Sequence, residues 1–310
     1  MNRSRHFVLG ILLILSTLLA ACGQANTGGT ADTAASPAAE ASAAPATDAS
    51  PAGATSGDGL LAEVKQRGKL LIATDANYKP QSFKTSDGSW EGFDIDVGRE
   101  IAKRLGVEPE FLDINFDVVT AGSWNNRWDI NIGSMTVTPE RKKVLLFSEP
   151  YYYTPAAFAV HNDSTIGTIA DLAGKQIGVG SATTYLDYLQ GNLTLEGEEI
   201  VTEAPQVEPK IYDTDQLALQ DLALGAGTRL DAVLTALPTI EDSIKGGQPF
   251  KVLGEPVYYE ALAAALDPKS AANSESLQAE ISRIIEEMRA DGTLTQLSNK
   301  YYGIDLTTKK

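Results

Sequence analysis

From position 60 to the C-terminus, the apolar residues alternate between strand-like runs and helix-like spacings. Residues 69–74 form a short, nearly continuous apolar run, the pattern of a strand buried on both faces. After the turn signal Asp87-Gly88, Val97, Ile101 and Leu105 recur at helical spacing, with Arg99, Lys103 and Arg104 turned away from them. Asp94 is expected to cap this helix and Gly106 to stop it. Residues 110–114 read as the next strand and complete a βαβ unit. Trp124 and Trp128 read as core residues. A strand over 128–132 is expected to end at Gly133 and open into a loop, residues 133–141. There Thr138 caps a short polar helix with Pro139 in its first position, where a missing N–H goes unnoticed.

Apolar runs at 144–147 and 151–153 are interrupted by Pro150 and Pro155, and 156–160 reads as a strand leaving the first half of the fold. Thr168 and Asp171 have capping-box spacing. Residues 176–179 form a strand, and a glycine-containing turn, 180–184, opens the helix that carries Tyr185, Leu186 and Leu189. Asp215 is expected to cap a helix through Leu217, Ala218, Leu222 and Leu224, and 230–234 is another buried strand. Residues 257–266 return to the first half, where Leu277, Ile281, Ile284, Ile285 and Met288 make an amphipathic helix ending near Asp291-Gly292. The pattern therefore predicts two α/β lobes joined by a hinge of two strands. Residues 60–157 and 258–310 form the first lobe and 158–257 the second.

The start of the chain is different. Arg3, Arg5 and His6 precede an apolar stretch, residues 7–19, that is short for a membrane span. Leu19-Ala20-Ala21-Cys22 then places small residues before the chain's single cysteine, the order of a bacterial lipobox. Residues 1–21 are expected to be a lipoprotein signal peptide, with Cys22 the lipidated mature N-terminus. Residues 23–59 hold nothing apolar larger than Ala and no basic residue, too little to offset ordering entropy. Residues 22–59 are read as a tether with a reach of roughly 35 Å as a flexible coil.

Without residues 1–21 the chain carries 23 basic and 41 acidic residues, a net charge of −18. Such a body is a poor partner for nucleic acid, whose phosphates call for clustered Lys and Arg. Anionic headgroups repel it too, so membrane attachment is expected through the lipid. Enzyme classes that need histidine or cysteine are poorly supplied. His161 is the one histidine after residue 21, no further cysteine remains for zinc or nucleophilic work, and no phosphate-binding or H-E-x-x-H motif is present. Acid–base work by carboxylates stays open.

Three stretches carry candidate binding chemistry. Residues 133–141 combine Gly133, Ser134 and Thr136 with Arg141. Hydroxyls and backbone N–H groups donate from one side of a planar anion, and a guanidinium forks onto two oxygens from the other. Read alone, the stretch fits a solvated helix start with a surface arginine equally well. The loop after the first strand holds Asp75 and Tyr78, at the carboxyl end of a strand where α/β sheets gather ligands. The turn before Tyr185 places Thr183 and Thr184 at a helix start, where free N–H groups suit a carboxylate.

Six stretches resemble, in order, the polar amino-acid solute-binding proteins of ABC transporters. They are residues 74–78, 92–96, 133–141, 147–152, 171–179 and 288–294. The resemblance implies the type II periplasmic-binding-protein fold, with a ligand cleft between the lobes. It also implies no cofactor, no metal and no catalysis, and a monomer on the outer face of the membrane or in the periplasm that passes a small polar solute, expected to be an amino acid, to an ABC permease. In that family Tyr78 stacks on the ligand's side chain, Asp75 meets a polar or cationic group, and Phe116 supplies a second aromatic. Gly133, Ser134, Thr136 and Arg141 take the carboxylate from one lobe, and Thr183 and Thr184 take it from the other. One position departs from the family. Its amine-binding aspartate lies five residues after Asp231, where this chain has Ala236. Either another acid takes over, Asp75 first, or the ligand lacks a free α-ammonium. The competing implications are an enzyme on the same fold, like the cyclohexadienyl dehydratases, and a ligand-sensing module.

Overall fold

A computed structural model describes residues 59–309 of the chain; the expected leader, Cys22 and all but the end of the expected tether lie outside the described residues. Helix α1 (Leu60–Arg67) leads into β1 (Lys69–Thr74). A small three-stranded sheet follows, made of β2 (Asn77–Tyr78), β3 (Ser82–Lys84) and β4 (Trp90–Glu91). α2 (Phe93–Leu105) returns the chain to β5 (Glu108–Asp113), parallel to β1. After α3 (Phe116–Thr120), β6 (Ile130–Thr136) adds in parallel to the other edge of β1. β7 (Leu146–His161) then crosses to the second half. That half holds β8 (Ile177–Gly180), α4 (Thr184–Leu189), β9 (Lys210–Tyr212), α5 (Asp215–Leu222), β10 (Ala232–Ala236) and α6 (Leu237–Lys245). β11 (Phe250–Leu266) crosses back, and α7 (Glu275–Ala290) and α8 (Thr293–Tyr302) complete the first half.

The larger sheet has eight strands in the order β5-β1-β6-β11-β7-β10-β8-β9. Its two ends are parallel, and antiparallel β7 and β11 join them in the middle. The result is the two-lobed α/β fold, with both connecting strands shared. In the first lobe, Val97 and Ile101 of α2 and Leu277, Ile281 and Ile284 of α7 close over Leu70, Ile72 and Ile130 in one cluster. Trp124 and Trp128 pack at 5.3 Å with Met135 and Ala263 in another. Phe158, Val179, Leu234 and Tyr258 centre the second lobe.

Several expectations are corrected. Gly92 caps α2, and Asp94 lies inside the helix, fully buried. β6 does not end before Gly133 but continues to Thr136 through a bulge. Met135 pairs with Ala263 and Asn131 with Ala265, so Ile132, Gly133 and Ser134 face the single residue Ala264, and Ser134 takes φ 54°. The short polar helix is one tight turn, Arg141–Lys143, with the Thr138 hydroxyl accepting from the Arg141 N–H at 3.2 Å. β7 is one strand of 16 residues that runs through Pro150 and Pro155. Pro150 sits where the register with β11 shifts, and pairing with β10 begins only at Ala156, so neither proline removes a needed ladder bond. Thr214, not Asp215, caps α5. β10 lies at 232–236, two residues later than expected. The capping box at Thr168 and Asp171 forms as its spacing predicts.

Candidate functional site

The carboxyl ends of β1 and β6 from one lobe and of β8 from the other meet at a cavity. It encloses about 530 Å³ of space between its lining atoms, counted out to solvent. All nine ligand-binding candidates line it: Asp75, Tyr78, Phe116, Gly133, Ser134, Thr136, Arg141, Thr183 and Thr184. The β6 bulge is what places Gly133 and Ser134 there, since the extra residues push the chain out of the ladder toward the cleft.

Arg141 is buried at the centre. Its Nη1 donates to the Thr136 carbonyl (3.0 Å), and its Nη2 crosses the cleft to the Ala182 carbonyl (2.9 Å). Its guanidinium stands over the Phe116 ring at 5.4 Å. Burial pulls its pKa below the ordinary arginine value, and the charge of Glu260 pulls it back up. Two of the five N–H donors of a guanidinium are therefore used, and three are left on a side chain that lines the cavity.

The hydroxyls beside Arg141 serve protein carboxylates rather than standing free. Ser134 Oγ donates to Asp94 Oδ2 (2.7 Å) and shares a hydrogen bond with the Tyr152 hydroxyl (2.6 Å). Its N–H donates to the Tyr151 hydroxyl, which in turn donates to Asp94. Asp94 thus acts from α2 to hold the bulge in place. Burial pushes its carboxyl up to about 7, against the hydrogen bonds from Ser134 and Tyr151. Thr136 Oγ1 donates to Glu260 Oε1 (2.7 Å), and Thr184 Oγ1 donates to the same oxygen from the second lobe. Thr183 caps α4, accepting from the Leu186 N–H.

Elsewhere on the cavity wall the Tyr78 and Tyr185 hydroxyls meet across the cleft at 3.2 Å, and Tyr185 also donates to Glu260. Asp75 accepts from the Asn77 N–H (2.7 Å), and burial raises its carboxyl above the ordinary range. Asp215 lines the cavity too. It accepts from the Gly180 N–H (2.8 Å) and the Thr235 hydroxyl (2.7 Å), while burial pushes it up to about 7. Ala236 is buried at the end of β10 in the second-lobe core, and no carboxylate reaches the cavity from that position.

Sequence reasoning missed Glu260, Asp215 and Tyr185 as lining residues. Glu260 did leave a signal, as the only charge in the apolar run 257–266. Asp215 left none, because a carboxylate before a helix reads first as a cap. His161 lies at the far end of β7 and does not line this cavity. Among the described residues no cluster of His, Cys, Asp and Glu is arranged to hold a metal ion.

The sequence profile of the bacterial extracellular solute-binding proteins, family 3, matches residues 70–304, which take in most of both lobes and every residue of the cavity. The chain belongs to that family. As a family 3 solute-binding protein it is similar to the L-cystine-binding protein TcyJ of Escherichia coli strain K12, at 35% identity over 253 residues, covering 81% of this chain and 88% of that one. It is similar to the L-arginine-binding protein of Pseudomonas aeruginosa at 30% identity, covering 76% and 88%. Among solved structures, an ancestral arginine-binding protein bound to arginine matches with TM-score 0.65 at 31% identity, covering 76% of this chain and 99% of that one. An ancestral amino acid-binding protein described as a precursor of cyclohexadienyl dehydratase matches with TM-score 0.67 at 29% identity, covering 78% and 99%. Among the described residues no helix is long and apolar enough to cross a membrane.

Proposed function

We propose that this family 3 protein is the extracytoplasmic receptor of an ABC importer, and that its ligand is an amino acid bound between the lobes. The observation that carries the reading is Arg141. It is a buried guanidinium, tied to a carbonyl of each lobe, with three donors left over on a side chain that lines the cavity. An anion forked by those donors would neutralise a buried charge and link the lobes in one step. The relatives' ligands, cystine and arginine, both carry the α-carboxylate such a site would take. Tyr78 and Phe116 would flank the ligand's side chain, and Asp75 would meet its far end. We assign residues 60–157 with 258–310 to one lobe and 158–257 to the other.

In this reading the protein is not an enzyme. The cavity holds carboxylates, hydroxyls and one arginine but neither histidine nor cysteine, and the similar proteins named above are described by what they bind. The neighbour described as a precursor of cyclohexadienyl dehydratase is itself named an amino acid-binding protein. We further propose that the protein is a monomer held at the membrane by lipid on Cys22, and mass spectrometry of the mature N-terminus tests this. An unmodified start elsewhere would contradict it.

A thermal-shift screen of the purified protein against the amino acids, including L-cystine and L-ornithine, tests the main reading. At least one is expected to raise the melting temperature in a concentration-dependent way. A flat response to all of them contradicts it.

A further inference from the structure

Glu260 has no part in the reading above, yet it is the most constrained charge in the cleft. It is the only charged residue in the apolar run 257–266 and is 1% exposed. Burying a carboxylate is costly unless partners compensate it. Here Thr136 and Thr184 donate to Oε1, and the Tyr185 hydroxyl donates to Oε2 at 3.0 Å. A carboxylate has about four acceptor positions, so one remains, on Oε2, in a group that lines the cavity. No cation fills it. Arg141 gives its bonds to two carbonyls and forms no ion pair with Glu260, although both groups bond Thr136, Arg141 its carbonyl and Glu260 its hydroxyl.

Two opposite charges thus border one small cavity, close enough to feel each other and kept apart by their own hydrogen bonds. That arrangement fits a ligand bearing both signs on neighbouring atoms. An α-amino acid carries its carboxylate and its ammonium on one carbon, so their partners must also be neighbours. Asp75 and Asp215 are less well placed: Arg141 and Glu260 both bond Thr136, through its carbonyl and its hydroxyl, whereas Asp75 bonds Asn77 and Asp215 bonds Gly180 and Thr235. Ala236, where the resemblance led us to expect an acid, has none to offer. We propose that Glu260 holds the α-ammonium of the ligand, so that this chain carries its ammonium subsite on the hinge strand β11 instead of at the end of β10. The proposal rests on the amino-acid reading. It adds a consequence of its own. The same carboxylate takes one hydroxyl from β6 in the first lobe and two from α4 in the second, so the ammonium would bind where the lobes meet.

Calorimetric titration of the wild-type protein and Glu260→Gln tests it. The probes are L-cystine, L-arginine with its des-amino analogue, and L-glutamine with its des-amino analogue. The glutamine side chain keeps the shape and an acceptor for the two threonines while removing the charge. Wild type should bind an amino acid about 30-fold or more tighter than the matching des-amino acid, as expected for leaving one of two buried charges unpaired. In Glu260→Gln the amino acid should weaken by a similar factor and the des-amino acid little, so that the preference collapses. Unchanged amino-acid affinity in Glu260→Gln, or equal losses for both members of a pair, overturns the assignment and leaves the amino-acid reading standing. If Glu260→Gln shows no cooperative melting, the wild-type preference decides alone, and a ratio near one overturns the proposal. Failure of every amino acid to bind wild type removes the amino-acid reading and this one with it.

Discussion

Arg141 and Asp215 show how much one buried group can decide at the scale of the residue. Truncating one partner of a buried charged pair costs on the order of 2–5 kcal/mol. Arg141→Ala should therefore weaken the amino acid found in the screen by about 30-fold or more, at about tenfold per 1.4 kcal/mol. Equal affinity by calorimetry would remove Arg141 from the site. Asp215 makes a prediction about pH. Its carboxyl titrates near about 3.9 when the chain is unfolded and is pushed up to about 7 in the fold, chiefly by burial. Folding therefore favours its protonated form. That contribution is fully present below about pH 4, declines as pH rises, and is gone above about pH 7. Asp94 is shifted the same way for the same reason. Asp215→Asn mimics the protonated form, and its amide can still accept from Gly180 and donate to Thr235. Its melting temperature should exceed that of wild type at pH 8 and match it near pH 4. A difference that does not vary with pH would contradict this account of Asp215.

At the scale of the element, the regular parts of the fold were legible because burial and period agreed. β1 is apolar throughout most of its length, and the α7 positions chosen at helical spacing, Leu277, Ile281, Ile284, Ile285 and Met288, are all buried. The irregular parts were not legible, for physical reasons. Pro150 and Pro155 read as strand breakers, but a strand at a register shift or beyond its neighbour's end has no ladder bond there to lose. The β6 bulge depends on tertiary partners, namely Asp94, Tyr151 and Tyr152, that lie far away in sequence. The candidate binding residues emerged from a resemblance carried by short motifs, so that route passed over Glu260 and Asp215. The start of α2 offers a test at this scale. Gly92 has φ 130° and ψ 170°, a region open almost only to glycine, and an added Cβ would lie 2.1 Å from the Gln81 carbonyl oxygen. Gly92→Ala should destabilise the protein by at least about 1–3 kcal/mol in chemical denaturation, the usual range for such backbone strain alone. A loss below a few tenths would mean that α2 starts differently.

For the whole molecule, closure of the lobes depends on few contacts of the protein's own. Across the cleft stand Arg141 to the Ala182 carbonyl, the Tyr78–Tyr185 pair, the Thr184 and Tyr185 hydroxyls on Glu260 and a Thr239–Gln81 hydrogen bond at 3.3 Å. The ion pairs at the rim, Lys79–Asp242 at 3.7 Å and Lys142–Glu196 at 2.6 Å, are solvent-exposed and contribute little. A ligand gripped by Arg141 on one side and by the α4 end of the cleft on the other would add the missing free energy. It can shift the lobes only by as much as it prefers the closed form. The two connecting strands give the motion its pivot. Spin labels at positions 103 and 245, exposed sites on α2 and α6, would report it in a Cys22→Ser background that leaves no other cysteine. Pulsed electron-resonance distances between them, measured with and without a saturating amino acid, test the central claim most directly. The account predicts a broad distribution that narrows onto the separation in this closed arrangement when the amino acid is added, with half the change at its calorimetric Kd. A distribution that no amino acid alters would contradict it.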